Sequence, residues 1–178
     1  KRLRINVAGF LNDTTDEQLF TFNPIAAQFF VTNANTRTFG SELELAATPL
    51  PGVTLTGALA LLNAQVTQAP ANSGVSVGNV VPYAPSFTAS LAAQYEFAVE
   101  IGRLSGNVFG RAEYQYVGSR QIDPANSYAL DPYSVVNLRA GWTTQSFDVY
   151  GYAQNLFNAE YIQSGFRAGG SPAGQIVV

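Results

Sequence analysis

Apolar and polar side chains alternate one by one along most of this chain. The clearest stretch sets Phe87, Ala89, Leu91, Ala93, Tyr95 and Phe97 against Ser86, Thr88, Ser90, Ala92, Gln94 and Glu96. A period of two predicts extended strands lying between two different environments. The same alternation runs through Leu3, Ile5 and Val7, through Phe39, Leu43 and Leu45, and through Val53, Leu55, Gly57, Leu59 and Leu61. It recurs in Leu104 to Tyr116, in Val136 to Trp142 and in Phe147 to Gln154. In chain order the pattern predicts a first strand from residue 1 to about 22 with an irregular section at Asp13–Asp16, ended by Asn23 and Pro24, and a return strand over 28–48. Five more strands follow, the second of them opening at 81–85, and an eighth begins at Gln175–Val178.

The connections alternate in length as well. Short turns are predicted at 49–52, 99–102 and 144–146, and long polar loops rich in Gly, Ser, Asn and Pro near 68–84, 118–132 and 158–174. Long loops at one end of an antiparallel sheet and short turns at the other match outer-membrane barrels, with the long loops outside the cell. Tyr95, Phe97, Tyr114, Tyr116, Tyr133 and Trp142, near strand ends, read as aromatic girdles at the membrane interfaces.

Three short stretches add a resemblance. Residues 37–45, RTFGSELEL, are similar to a GxExEL strand; Val81-Pro82-Tyr83-Ala84-Pro85 is similar to a VPxxP strand entry; and Asn155-Leu156-Phe157-Asn158-Ala159-Glu160-Tyr161 resembles an NLF(D/N)xxY signature. All three occur, in this order, in TonB-dependent receptors. The resemblance implies an all-β fold, an antiparallel transmembrane β-barrel segment forming about the last eight strands of a large plugged barrel. Residues 1–178 would be its C-terminal portion, with the plug and the earlier strands upstream; Lys1 in place of a methionine agrees with a piece of a longer precursor. A self-contained eight-strand passive barrel and a soluble β-sandwich share the alternation. The sandwich fits poorly with a single lysine in the whole chain.

Composition narrows the chemistry. Charged residues make up 12% of the chain, about half the usual soluble share. No apolar run reaches the roughly 18 residues of a spanning helix. A chain of this kind crosses a bilayer only as a closed barrel. With no cysteine, thiolate metal sites and disulfides are excluded, and with no histidine, hydrolase chemistry that relies on a catalytic histidine is disfavoured. The formal charge of −3, without a run of Lys or Arg, argues against a nucleic-acid partner.

The family resemblance implies import of a ferric siderophore across the outer membrane of a Gram-negative bacterium, driven by the TonB energy-coupling complex through the upstream plug. Receptors for cobalamin or oligosaccharides share the same motifs. No resident cofactor is expected, iron entering only as part of a bound chelate. Partners are then the chelate, the coupling complex and outer-membrane lipid. Transport requires no covalent chemistry, so the candidate residues fall into two groups. Glu42, Glu44, Glu96, Arg111, Glu113 and Arg139 lie on polar faces and read as lumen-wall charges, with Arg111, Glu113 and Arg139 expected to pair across strands or to meet the plug. Tyr83, Arg120, Tyr128, Tyr161, Phe166 and Arg167 fall in the long loops, where aromatic faces and guanidinium groups suit an anionic chelate.

Overall fold

The computed structural model describes residues 2–23, 26 and 28–165. The described residues form one seven-stranded antiparallel meander and a two-residue hairpin. Its strands are β1 (Leu3–Asn23), β2 (Gln28–Ala47), β3 (Val53–Gln68), β4 (Phe87–Ile101), β5 (Leu104–Val117), β8 (Tyr133–Thr144) and β9 (Asp148–Ala153). The hairpin, β6 (Arg120–Gln121) with β7 (Ala129–Leu130), is built inside the β5–β8 loop. The seven long strands are thus those the alternation predicts, each hydrogen-bonded to its neighbour. The eighth, at 175–178, lies outside the described residues.

Register carries the pattern across the sheet. Leu3, Ala47, Leu55, Ala93, Ala112, Leu138 and Ala153 stand in one cross-strand row. The adjacent row is Arg4, Ala46, Thr56, Ala92, Glu113 and Asn137. Because side chains alternate faces, one apolar and one polar face run unbroken over all seven strands. Leu3, Ile5, Val7, Leu61, Leu91 and Val149 are exposed on the apolar side, with nothing among the described residues covering them. An apolar face of this extent suits lipid rather than water.

Two aromatic clusters bracket that face. Near the short turns, the Tyr95 and Phe97 rings stack at 5.4 Å and Trp142 meets Phe147 edge-on at 5.7 Å. Toward the loops, Phe87 meets Tyr116 at 5.7 Å. Tyr133 corrects the sequence reading. Its register partner Val117 pairs with Thr88, a polar-face position, so Tyr133 points away from the apolar side and is no girdle residue.

A bulge interrupts the alternation on β1. Thr14 pairs with Thr36 but Glu17 with Ala34, so β1 carries one extra residue, with Asp16 at φ 55. One inserted residue flips every later side chain. Leu11 accordingly faces the apolar side, whereas Leu19 turns to the other and is buried with Ala34, Val66 and Val75 beneath the β3–β4 loop. Just before the bulge, on the outward face, Arg37 makes a two-pronged ion pair with Asp13, Nε to Oδ1 at 2.6 Å and Nη2 to Oδ2 at 3.1 Å. Hydrogen bonding from Arg37, with coulombic attraction adding to it, holds the Asp13 carboxyl below its ordinary value. The same contact raises Arg37. Across the registered strands Phe87, of the loop-side aromatic cluster that edges the apolar band, lies level with Leu61, Ser41 and Gly9, and Asp13 lies four residues, about 13 Å, further along β1 toward the loops. This pair therefore stands just beyond that band.

The predicted strand entry at 81–85 is not strand. Tyr83 sits at φ 58, Val80 makes only an isolated bridge to Gln65, and β4 begins at Phe87. Proline lacks the amide a ladder needs, and the two prolines here hold the chain in a turn instead.

Candidate functional site

The polar face of β5, β8 and β9 gathers three of the predicted wall charges. Arg111 lies directly opposite Arg139. The Glu113 carboxylate accepts from Arg111 Nε at 2.6 Å, two residues along the same strand. The expected pairing across strands does not extend to Arg139, which meets no carboxylate among the described residues. Its guanidinium carbon lies 4.0 Å from the Tyr150 ring centroid and 5.7 Å from that of Phe109. Gly141 makes this possible, because a Cβ there would fall 2.7 Å from Tyr150 Cβ and 2.9 Å from the Phe109 ring. Glu42 and Glu44 share the polar face on β2, where Glu44 accepts from Asn6 Nδ2 at 3.1 Å. Glu96, on β4, receives a 3.5 Å contact from Gln94 Nε2. The wall charges thus lie on one face but do not form one network.

Above the sheet, three segments interlock. The β3–β4 loop meets the β5–β8 loop through Asn126, whose side chain accepts from the Val80 amide at 2.7 Å and donates to the Val80 carbonyl at 2.8 Å. Asn79 donates to the Pro124 carbonyl at 2.7 Å, and the Tyr83 amide to the Gln121 carbonyl at 2.9 Å. Leu130, Ile122 and Pro124 are buried inside the cluster. The Tyr128 carbonyl accepts from the Ile122 amide at 3.1 Å while its side chain stays half-buried.

Arg120 ties the third segment on. Its Nη2 donates to the carbonyls of Ile162 at 2.7 Å and Gln163 at 3.3 Å, and its guanidinium lies 5.2 Å over the Tyr133 ring. Tyr133 in turn stacks on Tyr161 at 4.1 Å, the rings within 6° of parallel. The Tyr83 hydroxyl donates to the Gly165 carbonyl at 2.9 Å. Arg120 is only 7% exposed, so its charge is directed into the loop cluster and not toward solvent. Tyr83 and Tyr161 remain accessible at its edge. Phe166 and Arg167 lie outside the described residues.

The NLFN stretch supplies the geometry that brings the third segment here. Asn155 and Asn158 take φ values of 49° and 50°, a left-handed conformation asparagine tolerates. The Asn155 side chain accepts from the Ala159 amide at 2.8 Å and donates to the Ala159 carbonyl at 3.0 Å, closing a turn on itself. Asn137 of β8 holds the Asn155 amide through Oδ1 at 2.9 Å, and the Leu156 amide reaches the Val136 carbonyl at 2.8 Å. The motif is therefore a strand-terminating hook. Sequence reasoning passed over Phe109, Tyr150, Tyr152 and Asn126. Alternation does place the first three on the polar face, but nothing in a single strand's pattern says which side chains meet across strands.

Among the described residues no group of three Asp, Glu, Cys or His side chains converges as a metal site. The clusters offer guanidinium groups, phenol rings and amides, which bind anions and planar groups without covalent chemistry.

Comparison with known proteins agrees with this architecture. Residues 1–156 match the model of the family described as TonB dependent receptor-like, beta-barrel. The ferrichrome outer membrane transporter/phage receptor of Escherichia coli (strain K12) is 29% identical over 171 residues, covering 93% of this chain and 22% of that protein. The solved ferric yersiniabactin uptake receptor of Yersinia pestis superposes with a TM-score of 0.77 at 21% identity, over 96% of this chain and 25% of its own. The ferric preacinetobactin receptor of Acinetobacter baumannii gives 0.69 at 17% identity, over 90% of this chain and 24% of its own. The chain spans about a quarter of the length of these relatives. Its two-faced sheet is a stretch of an outer-membrane β-barrel wall, and the chain belongs to the TonB-dependent receptor β-barrel family.

Proposed function

We propose that this chain is the C-terminal portion of a plugged outer-membrane receptor that imports a ferric siderophore, the earlier strands and the plug lying upstream and TonB supplying the energy. The observation that carries this reading is that the three relatives are named for ferrichrome, ferric yersiniabactin and ferric preacinetobactin. The interlocked outer loops support it. They present Tyr83, Tyr128 and Tyr161 at a rim whose shape is fixed by many loop-to-loop hydrogen bonds, which lowers the entropy lost when a ligand is gripped.

Within this reading Tyr83, Tyr128, Tyr161, Phe166 and Arg167 contact the chelate. Arg120 acts mainly by holding the 159–165 segment in place. The wall charges Glu42, Glu44, Glu96, Arg111, Glu113 and Arg139 face the lumen, where the plug resides. A binding titration of the full-length protein with ferrichrome and with ferric catecholate complexes tests this. Tyr83→Ala together with Arg167→Ala is expected to weaken binding by about 1 kcal/mol or more, and Glu42→Gln to leave it unchanged. Absence of binding to every ferric chelate would overturn the cargo.

A further inference from the structure

Toward the loops, β3 outlasts its partner β4. The ladder between them ends at Leu61 and Phe87, with the Leu62 amide reaching the Ser86 carbonyl at 2.9 Å just beyond, while β3 runs on to Gln68. Residues 78–81 of the β3–β4 loop turn back along the edge left over. The Val81 amide donates to the Ala64 carbonyl at 3.0 Å, the Val66 amide to the Asn79 carbonyl at 2.8 Å and the Gly78 amide to the Val66 carbonyl at 2.8 Å. The first two of these bonds flank an antiparallel bridge between Gln65 and Val80. In a pair of that kind, not bonded directly to one another, each residue turns its own amide and carbonyl away from the partner strand. Val80 therefore offers a donor and an acceptor on its far side, the groups that a further strand would take.

The Asn126 side chain takes them. Its oxygen accepts from the Val80 amide at 2.7 Å and its NH2 group donates to the Val80 carbonyl at 2.8 Å. A carboxamide carries one donor and one acceptor side by side, as a peptide unit does, so it stands in for one residue of a strand. Its own loop aims it there. Asn126 has φ 54, and its amide reaches the Asp123 carbonyl at 3.0 Å. The Asp123 carboxylate in turn accepts from the Ser127 amide at 3.0 Å and from the Ser127 hydroxyl. Asn79 bonded to the Pro124 carbonyl and Tyr83 bonded to the Gln121 carbonyl run alongside. Each loop also has an anchor of its own, Val75 packed with Leu19, Ala34 and Val66 in the first and buried Ile122, Pro124 and Leu130 in the second.

We propose that Asn126 is a clasp that makes the β3–β4 and β5–β8 loops a single rigid wall of the barrel mouth, and that the two stay joined while ligand enters. The second half of this proposal rests on the siderophore reading above. The β3 ladder continues through residues 78–81 into Asn126, so the stiffness of the barrel sheet passes into both loops. Moving either loop alone strips Val80 of both its partners, which makes opening of the pair a cooperative event.

Hydrogen exchange on the full-length receptor in lipid vesicles tests the clasp with no ligand present. The amides of Val80, Val81 and Tyr83 and those of Ile122 and Asn126 should exchange at similar, slow rates. Asn126→Gly accepts the left-handed backbone and removes the side-chain amide, and it should speed both sets about tenfold, as expected for two lost hydrogen bonds. Asn126→Asp keeps the acceptor and loses the donor, and should fall between. The clasp is overturned if Asn126→Gly leaves both sets as slow as in wild type, or if it speeds the 122–126 amides while the 80–83 amides keep their protection. A second measurement joins the loops covalently. Asn79 already reaches the carbonyl of the residue before Ala125, and the chain has no cysteine of its own. Asn79→Cys with Ala125→Cys, joined by a short thiol-reactive linker, should bind ferrichrome or a ferric catecholate complex within about twofold of the same variant unlinked. A loss of about tenfold on linking shows that the loops must part and overturns the single wall. If neither form binds a ferric chelate, the siderophore reading fails, and hydrogen exchange still decides the clasp.

Discussion

Leu91→Arg tests the assignment of the two faces most sharply. Leu91 is exposed on the apolar face, beside Gly57 and Tyr114 in its row. It lies midway on β4 between Phe87, in the aromatic cluster near the loops, and Tyr95, in the cluster near the turns. That places it at the bilayer midplane, where an arginine on the lipid face of a barrel costs about 2–4 kcal/mol. Ser90, its neighbour in sequence, stands between Ala58 and Gln115 on the lumen side, and Ser90→Arg should stay within about 0.5 kcal/mol of wild type. Val108 shares a row with Phe97 and Trp142 at the interface, so Val108→Arg should cost only about 0–1 kcal/mol. The assay is a urea titration of the full-length protein folding into vesicles. Equal destabilisation by Ser90→Arg and Leu91→Arg would refute the face assignment, and a Val108→Arg cost matching that of Leu91→Arg would refute the placement of the interface.

Further expectations concern the loops and the outer edge of the band. Asn155→Ala removes both side-chain bonds to Ala159 and leaves a non-asparagine residue in a left-handed conformation, a loss of about 2 kcal/mol in the same titration; Asn155→Gly, which accepts that conformation, should lose less. Arg120→Ala should release the 159–165 segment and speed its cleavage in limited proteolysis, without altering the strand signal in circular dichroism. Asp13 should titrate below the ordinary carboxylate value of 3.8, its contribution to stability present above that pH and lost as pH falls through the lower folded value; Arg37→Ala should bring the midpoint back toward 3.8 in an NMR titration.

The sheet was legible in the sequence because each strand separates two media, and a two-residue period records that separation locally. Strand order followed, since among the described residues each of the seven predicted strands pairs with its predicted neighbour in sequence. What local pattern does not carry is register across strands. Arg139 and Glu113 read as partners because both face the lumen, but their strands pair Arg139 with Arg111 and Glu113 with Asn137. Tyr133 read as a girdle residue because it stands at a strand end, yet its parity turns it inward. The loops were the least legible. Arg120 lies in a polar stretch that predicts exposure, and its burial depends on the 159–165 segment being brought back by the Asn155 hook. The Asp13–Asp16 irregularity was visible as a break in alternation, but only the pairing of Glu17 with Ala34 shows that it inserts a single residue and turns Leu19 inward.

Uptake of chelated iron by cells producing the full-length receptor separates a plugged, energy-coupled receptor from a passive pore. Radiolabelled iron should be supplied as ferrichrome and as catecholate complexes to cells producing it, with and without a functional TonB complex. Binding should be saturable in both strains, with accumulation inside the cell only where TonB is present. Entry that rises linearly with concentration and persists without TonB would contradict this, showing a passive pore in place of a plugged receptor.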